Sequence, residues 1–131
     1  MQNFEEWKQK IPLLEKILGH VYTHKEHLET ACTHSSYTNE HKDGSLAYNE
    51  RLEFLGDSVF NLVITEYLYT ALPDIQEGQL SQLRASLVSA KSCRNFAEKL
   101  QLLPFLLVGR GELLNREKVK TSILADFFEA L

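Results

Sequence analysis

The chain has 131 residues, of which 44% are hydrophobic, and a formal net charge of −4; this fits one domain, residues 1–131, with a buried core. No apolar run approaches the ~20 residues that span a bilayer and the N-terminus is too polar for a secretory signal, so we expect a cytoplasmic protein with no membrane partner. The negative charge argues against a nucleic-acid binder with a basic face, although an acidic site that holds divalent ions attracts phosphate.

Apolar residues at helical spacing predict short helices in the first third of the chain. Helical spacing over 4–11 is interrupted at Pro12, and an apolar helical face over 13–18 follows, with Gly19 as a suitable C-cap. Thr23 and Glu26 form a capping-box pattern, which predicts a helix that ends near Cys32. Small polar residues follow, and their side chains compete for backbone groups, so we predict a turn and then a loop over 33–47.

One long helix dominates the middle of the chain. It is predicted from about Tyr48 to Ala71, where the approach of Pro73 ends it. Its apolar positions cover a broad face that we expect to dock in the core. These positions are Leu52, Leu55, Val59, Leu62, Val63 and Tyr67.

Three acidic residues of this helix share one narrow stripe. At about 100° per residue, Glu53 lies at about 300° and Asp57 at about 340° from Glu50. Like charges at this spacing repel each other, and the neighbouring Arg51 points elsewhere. A hard cation with oxygen ligands, such as Mg²⁺ or Mn²⁺, would supply the countercharge.

The remaining pattern is also helical. Apolar residues return to helical spacing over 80–88, and Ser89 can cap the next helix. The apolar run 102–108 contains a proline and has no partner strand, so we interpret it as a buried helix end or loop. A turn is predicted at 109–112 and a final helix at 119–131. The predicted fold class is therefore all-α.

The last helix carries a second acidic pair. Asp126 and Glu129 are separated by three positions, so they share a face of the helix. Either both point to water while the neighbouring phenylalanines pack, or they belong to a buried polar site. Combined with the first stripe, two helices could supply four carboxylates to one or two divalent ions.

Cysteine and histidine residues do not form a recognisable metal pattern. Cys32 and Cys93 are far apart, which favours two buried, reduced thiols. His20, His24 and His27 have helical spacing, but no cysteine or carboxylate completes a zinc pattern beside them. We therefore do not favour a zinc site.

The stretch from Asn49 to Ser58, with the sequence NERLEFLGDS, resembles the signature of the ribonuclease III family of double-stranded-RNA endonucleases. Stretches 31–37, 77–88 and 122–129 match that family's pattern in the same order and at similar spacing. The resemblance covers nearly the whole chain. It implies an all-helical ribonuclease III-like endonuclease domain that forms a homodimer and hydrolyses double-stranded RNA with Mg²⁺, or with Mn²⁺ as a substitute.

The resemblance also assigns roles to the acidic residues. The family's four essential carboxylates match Glu53, Asp57, Asp126 and Glu129. By that match, Glu53, Asp126 and Glu129 would ligate the metal, and Asp57 and Glu129 would complete the catalytic set. The products would carry 5′-phosphate and 3′-hydroxyl ends, and the reaction would serve the processing of rRNA and mRNA precursors.

Other positions match the family in less direct roles. Glu50 and Glu77 match secondary acidic positions near the cleavage site. Phe54 matches an aromatic residue that enters a pocket of the partner subunit. On the helical wheel Phe54 lies at about 40°, beside the acidic stripe and away from the apolar face. The alternative is that its ring packs within its own chain.

Double-stranded RNA and a second copy of the chain are the expected partners, and no small-molecule substrate is expected. Arg84, Lys118 and Lys120 are candidates for contacts with RNA phosphates. Solvated surface charge is the alternative for each of them. Duplex RNA is recognised mainly by its shape, through phosphates and 2′-hydroxyls, so we expect little base specificity.

The chain stops at Leu131, where typical bacterial members continue with more helices and a double-stranded-RNA-binding domain. We therefore expect a fragment that is weakly active or inactive on its own. One competing interpretation is a catalytically silent dimeric RNA-binding scaffold, which the retention of all four acids argues against. Another is a di-metal bundle of the ferritin type, but neither acidic cluster contains the required Glu-x-x-His pair.

Overall fold

The computed structural model describes residues 2–41, 46–114 and 121–131. Within these ranges there is no β-strand, and a single isolated bridge joins Thr33 to Leu107. The prediction of an all-α fold is confirmed. The helices are α1 (Phe4–Lys8), α2 (Ile11–Leu18), α3 (Lys25–Ala31), α4 (Ser35–Glu40), α5 (Glu50–Ala71), α6 (Glu77–Leu87), α7 (Ala90–Lys99), α8 (Arg110–Leu114) and α9 (Thr121–Ala130), with a 3₁₀ turn at Leu103–Phe105.

The hydrophobic core joins the N-terminal helices to the apolar run 102–108 and to α9. Burial of these apolar side chains supplies the main favourable free energy of folding. The backbone of Leu107 crosses the core, where its N–H donates to Cys32 and its carbonyl accepts from His34. The prediction of a buried helix end or loop at 102–108 is confirmed. The buried core residues include Trp7, Leu14, Leu28, Tyr37, Leu102, Phe105, Leu106, Leu107 and Phe127.

Several helix ends are predicted correctly because they depend on local chemistry. Gly19 ends α2 with φ of 67°, in the left-handed region that favours glycine. The Ser89 side chain caps α7 by accepting from the N–H of Ser92 at 3.2 Å. Cys32 and Cys93 are buried and unpaired, as expected. None of the helices in the described part of the chain has the length and apolar character that a membrane span requires.

The short helices are predicted less well. The capping box at Thr23 is wrong, because α3 has His24 at its N-cap and no side-chain cap bond. Helix α4 replaces part of the loop predicted over 33–47, and α8 replaces the turn predicted at 109–112. Helices this short depend on tertiary contacts rather than on propensity. In α4, for example, the Tyr37 side chain is buried in the core.

The prediction that the apolar face of the long helix docks in the core is wrong. Leu68 is the only fully buried residue of α5, and Leu52 is half-buried. Helices α9 and α6 pack against another side of α5, because that side carries Gly56 and Thr65, which contact them directly. The remaining predicted core positions are between 52% and 69% exposed: Leu55, Val59, Leu62, Val63 and Tyr67.

Candidate metal centre

Three carboxylates from two helices converge beside the N-terminal half of α5. Glu53 comes from the first turn of α5. Asp126 and Glu129 come from α9, where they are three positions apart and share one face. One oxygen from each of the three lies within 4.8 Å of the others. We call Glu53, Asp126 and Glu129 the acidic cluster. All three residues are half-buried, so their carboxylates remain within reach of solvent.

The close approach of α5 and α9 depends on Gly56. A Cβ atom at this position would lie 1.7 Å from the carbonyl oxygen of Glu129 and 2.8 Å from its carbonyl carbon. No residue with a Cβ atom fits against backbone atoms at these distances. One turn further along α5, the ring of Phe60 meets the ring of Phe128 edge to face, with centroids 5.4 Å apart. The glycine in the middle of the helix thus brings Glu129 next to Glu53.

Burial raises the pKa of all three carboxyl groups in the acidic cluster. For Glu53 the negative charge of Asp126 raises the pKa further. For Asp126 the nearby His34 ring opposes the effect of burial. For Glu129 a hydrogen bond from Cys93 opposes it. Burial and like charge both disfavour the ionised carboxylates, so a metal-free cluster is electrostatically unfavourable near neutral pH.

Among the described residues, no lysine or arginine forms an ion pair with the acidic cluster. The ion pairs in these parts of the chain use other acids: Glu5, Glu15, Glu29 and Glu98. Three convergent carboxylates that are half-open to solvent are a donor set that hard divalent cations prefer, with water completing the coordination. The donor set therefore fits a divalent cation.

The other predicted acids of α5 lie at the edge of the cluster. Asp57 is exposed, and its Oδ1 accepts a hydrogen bond from Asn61 at 3.1 Å. Its charge raises the pKa of Glu53 and of Glu129. Glu50 is also exposed. Of the four carboxylates that match the family's pattern, the structure therefore brings three together. The fourth, Asp57, faces solvent one helical turn away from Glu53.

Glu77 and Arg84 belong to a different part of the surface. Together with Thr65 they line a cavity of about 230 Å³ between α5 and α6. Glu77 accepts from the hydroxyl of Ser81 at 2.8 Å. Arg84 is half-buried and donates to Thr65 Oγ1 at 3.2 Å, so its guanidinium helps to join the two helices. The other two candidates for phosphate contacts, Lys118 and Lys120, lie outside the described residues.

Phe54 is 81% exposed on the surface of α5. This exposure rules out internal packing of its ring. Leu55 and Val59 are exposed as well and form an apolar strip on the neighbouring face of the helix, so Phe54 lies beside this strip. Exposed apolar strips of this kind mark surfaces that contact other molecules.

Two residues near the cluster are not predicted from the sequence to interact with its acids. Cys93 in α7 is fully buried, and its Sγ lies 3.6 Å from Glu129 Oε1. Burial, followed by the charge of Glu129, raises the pKa of Cys93 to about 12, so the sulfur stays a thiol. His34 caps α4, since its Nδ1 accepts from the N–H of Ser36, and its ring also opposes the rise in the pKa of Asp126. Neither contact follows a local spacing, so no sequence pattern could reveal it.

Comparisons with known proteins agree with this architecture. A family model described as Ribonuclease-III-like matches residues 24–131. The protein named Ribonuclease 3 of Protochlamydia amoebophila is 44% identical over 131 residues, which are all of this chain and 54% of that protein. Ribonuclease 3 of Oceanobacillus iheyensis is 47% identical over 117 residues, which are 89% of this chain and 51% of that protein. The chain thus spans about half the length of the curated relatives it matches.

Two solved structures of the nuclease domain of ribonuclease III from Campylobacter jejuni have a similar fold. One, at 2.2 Å resolution, superposes with a TM-score of 0.77 at 42% identity and covers 99% of this chain and 80% of that one. The other superposes with a TM-score of 0.79 at 44% identity and covers 89% of this chain and 78% of that one. It is described as showing structural flexibility in a region involved in dimer formation.

Proposed function

The chain belongs to the ribonuclease III family, and on that premise we propose that it is the nuclease part of an endoribonuclease that hydrolyses double-stranded RNA. The observation that carries this proposal is the acidic cluster, in which three half-buried carboxylates converge without an ion pair to lysine or arginine among the described residues. The proposed reaction leaves 5′-phosphate and 3′-hydroxyl ends and serves the processing of rRNA and mRNA precursors. We place the enzyme in the cytoplasm, where free cysteines stay reduced.

The proposed cofactor is Mg²⁺, with Mn²⁺ as a substitute. Glu53, Asp126 and Glu129 would hold it, because one oxygen of each already lies within 4.8 Å of the others. When bound, such an ion lowers the pKa of water and neutralises charge on a phosphate. Asp57 faces solvent, with one oxygen held by Asn61, so its carboxylate can accept a hydrogen bond from a water molecule and orient it.

We propose that the exposed apolar strip of α5 and Phe54 beside it join two copies of the chain, with Phe54 as the main contact. The strip is continuous over several turns, and isolated surface residues of this size are common whereas long strips are not. One of the similar Campylobacter jejuni structures shows structural flexibility in a region involved in dimer formation of its nuclease domain. For RNA, we propose phosphate contacts by Arg84, Lys118 and Lys120, with recognition by duplex shape.

Cleavage of a long RNA duplex by the full-length protein tests the proposed activity. We expect that Asp57→Asn and Glu129→Gln each abolish cleavage with Mg²⁺ while binding to the duplex persists. Glu66→Gln is the matched control, since Glu66 is an exposed acid on the same helix. EDTA should stop the wild-type reaction. Cleavage at the wild-type rate by either variant would contradict the catalytic assignment, and binding without cleavage by the wild type would favour the silent scaffold.

A further inference from the structure

Cys93 makes a side-chain contact with the acidic cluster. Its Sγ lies 3.6 Å from Glu129 Oε1, and the cysteine is fully buried between α7 and α9. The same sulfur lies 3.8 Å from the carbonyl oxygen of Val88. In the described part of the chain, no other side-chain hydrogen bond reaches a carboxylate of the acidic cluster. Glu129 is therefore the member of the acidic cluster whose carboxylate is oriented by a hydrogen bond to a residue that does not belong to the cluster.

The direction of this hydrogen bond follows from the chemistry of the two groups. An ionised carboxylate can only accept, so the thiol of Cys93 must be the donor. The thiol has one proton and two acceptors within reach, namely Glu129 and the Val88 carbonyl. A charged acceptor binds a proton donor more strongly than a neutral carbonyl does. The carboxylate of Glu129 therefore takes the larger share of this donor.

We propose that Cys93 is a positioning residue, whose thiol holds Oε1 of Glu129 so that the carboxylate faces Glu53 and Asp126 and a divalent cation. The proposal rests on the proposed function, because it assumes that the acidic cluster binds a metal. Without the thiol, the Glu129 side chain would rotate among several conformers, and ordering it would oppose metal binding. Loss of a hydrogen bond to a metal ligand typically weakens metal affinity by about 10- to 100-fold.

The test measures Mn²⁺ affinity of the full chain by electron paramagnetic resonance, which detects free Mn²⁺ directly and needs no RNA. Cys93→Ala removes the donor and leaves space, whereas Cys93→Val removes the donor and fills the space with apolar atoms. We expect both to bind Mn²⁺ about tenfold more weakly than the wild type. Cys93→Ser keeps a donor and is expected to bind more tightly than either of them.

Cys32→Ala is the matched control. Cys32 is the other fully buried thiol and belongs to the hydrophobic core. Its loss should lower the melting temperature and leave the Mn²⁺ affinity unchanged. Thermal melting of each variant in EDTA confirms that it folds, and the valine variant separates loss of the hydrogen bond from loss of packing.

Each outcome of this experiment decides something. Wild-type affinity in both Cys93→Ala and Cys93→Val would overturn the positioning role and leave the metal site intact. A Cys93→Ser variant that binds no better than the valine variant would also overturn it, since the donor would then not matter. If the wild type bound no Mn²⁺, the proposed metal site would fail, and the inference about Cys93 would fail with it.

Discussion

The carbonyl group of Glu129 lies directly against Gly56, at the position where any other residue would place its Cβ atom. The contact joins α9 to α5 through backbone atoms alone. It also fixes how closely the Glu129 carboxylate approaches Glu53. A helix-interior glycine costs up to about 1 kcal/mol relative to alanine, and the close approach of the two helices explains why it is present here.

Replacement of Gly56 by alanine should destabilise the protein strongly. The added methyl group would meet the backbone carbonyl of Glu129 at 1.7 Å, and backbone cannot move aside as a flexible side chain can. We expect a loss of about 3 kcal/mol in the free energy of unfolding, measured by urea denaturation. Gly78→Ala is the control, because Gly78 lies in α6 with open space around it. A small effect at Gly56 would mean that the helices can separate without cost.

The metal-free protein should lose stability as the pH rises through the range in which the acidic cluster ionises. The pKa of each cluster carboxyl is raised in the folded state. The folded protein therefore binds these protons more tightly than the unfolded chain, and this contribution to stability is present below the unfolded pKa of about 4. It disappears as the pH rises through the raised pKa values of the folded state.

Glu53→Gln isolates this effect. In EDTA at neutral pH the variant should melt at a higher temperature than the wild type, because it removes one half-buried negative charge that the neighbouring acids repel. The advantage should vanish near pH 4, where the wild-type carboxyl is protonated. Melting curves over a series of pH values in EDTA measure the difference. A variant that melts lower than the wild type at every pH would show that the carboxylate contributes favourable contacts instead.

Mg²⁺ or Mn²⁺ should raise the melting temperature of the wild type. A ligand that binds only the folded state stabilises it by about 2.7 kcal/mol when its concentration is 100 times its dissociation constant. Asp126→Asn should remove most of the shift, and Glu66→Gln, outside the cluster, should leave it intact. The shift should also shrink as the pH falls, since protons compete for carboxylates whose pKa is raised. An equal shift in the Asp126 variant would place the metal elsewhere.

Phe54→Ala should weaken dimer formation without affecting the stability of a single copy. The ring is 81% exposed, so its removal leaves no cavity within the chain. Buried aromatic anchors dominate many protein interfaces, and we expect the dimer dissociation constant to rise at least about tenfold. Sedimentation over a range of concentrations measures it. Leu114→Ala is the control, because Leu114 is an exposed apolar residue of α8; if both variants behaved as the wild type, Phe54 would not be the contact.

The amino-acid sequence by itself determined the helices that depend on local chemistry. A sustained apolar period and a following proline predict the long helix α5 almost to its ends. The signature from Asn49 to Ser58 indicated the family, and the comparisons confirmed it. The spacing of the acids also shows that Glu53 and Asp57 share one face of α5, and that Asp126 and Glu129 share one face of α9.

Only the tertiary structure decided what those faces meet. Helical periodicity reports which residues share a face, but it does not report whether a neighbouring helix covers that face. For this reason the helical period predicts that the apolar side of α5 is buried, whereas the structure exposes it. Gly56, which has no side chain, instead packs directly against the backbone of Glu129 in α9. Contacts such as that of Cys93 with Glu129 join residues far apart in the chain. They exist because packing brings three helices to one point, and no local pattern records it.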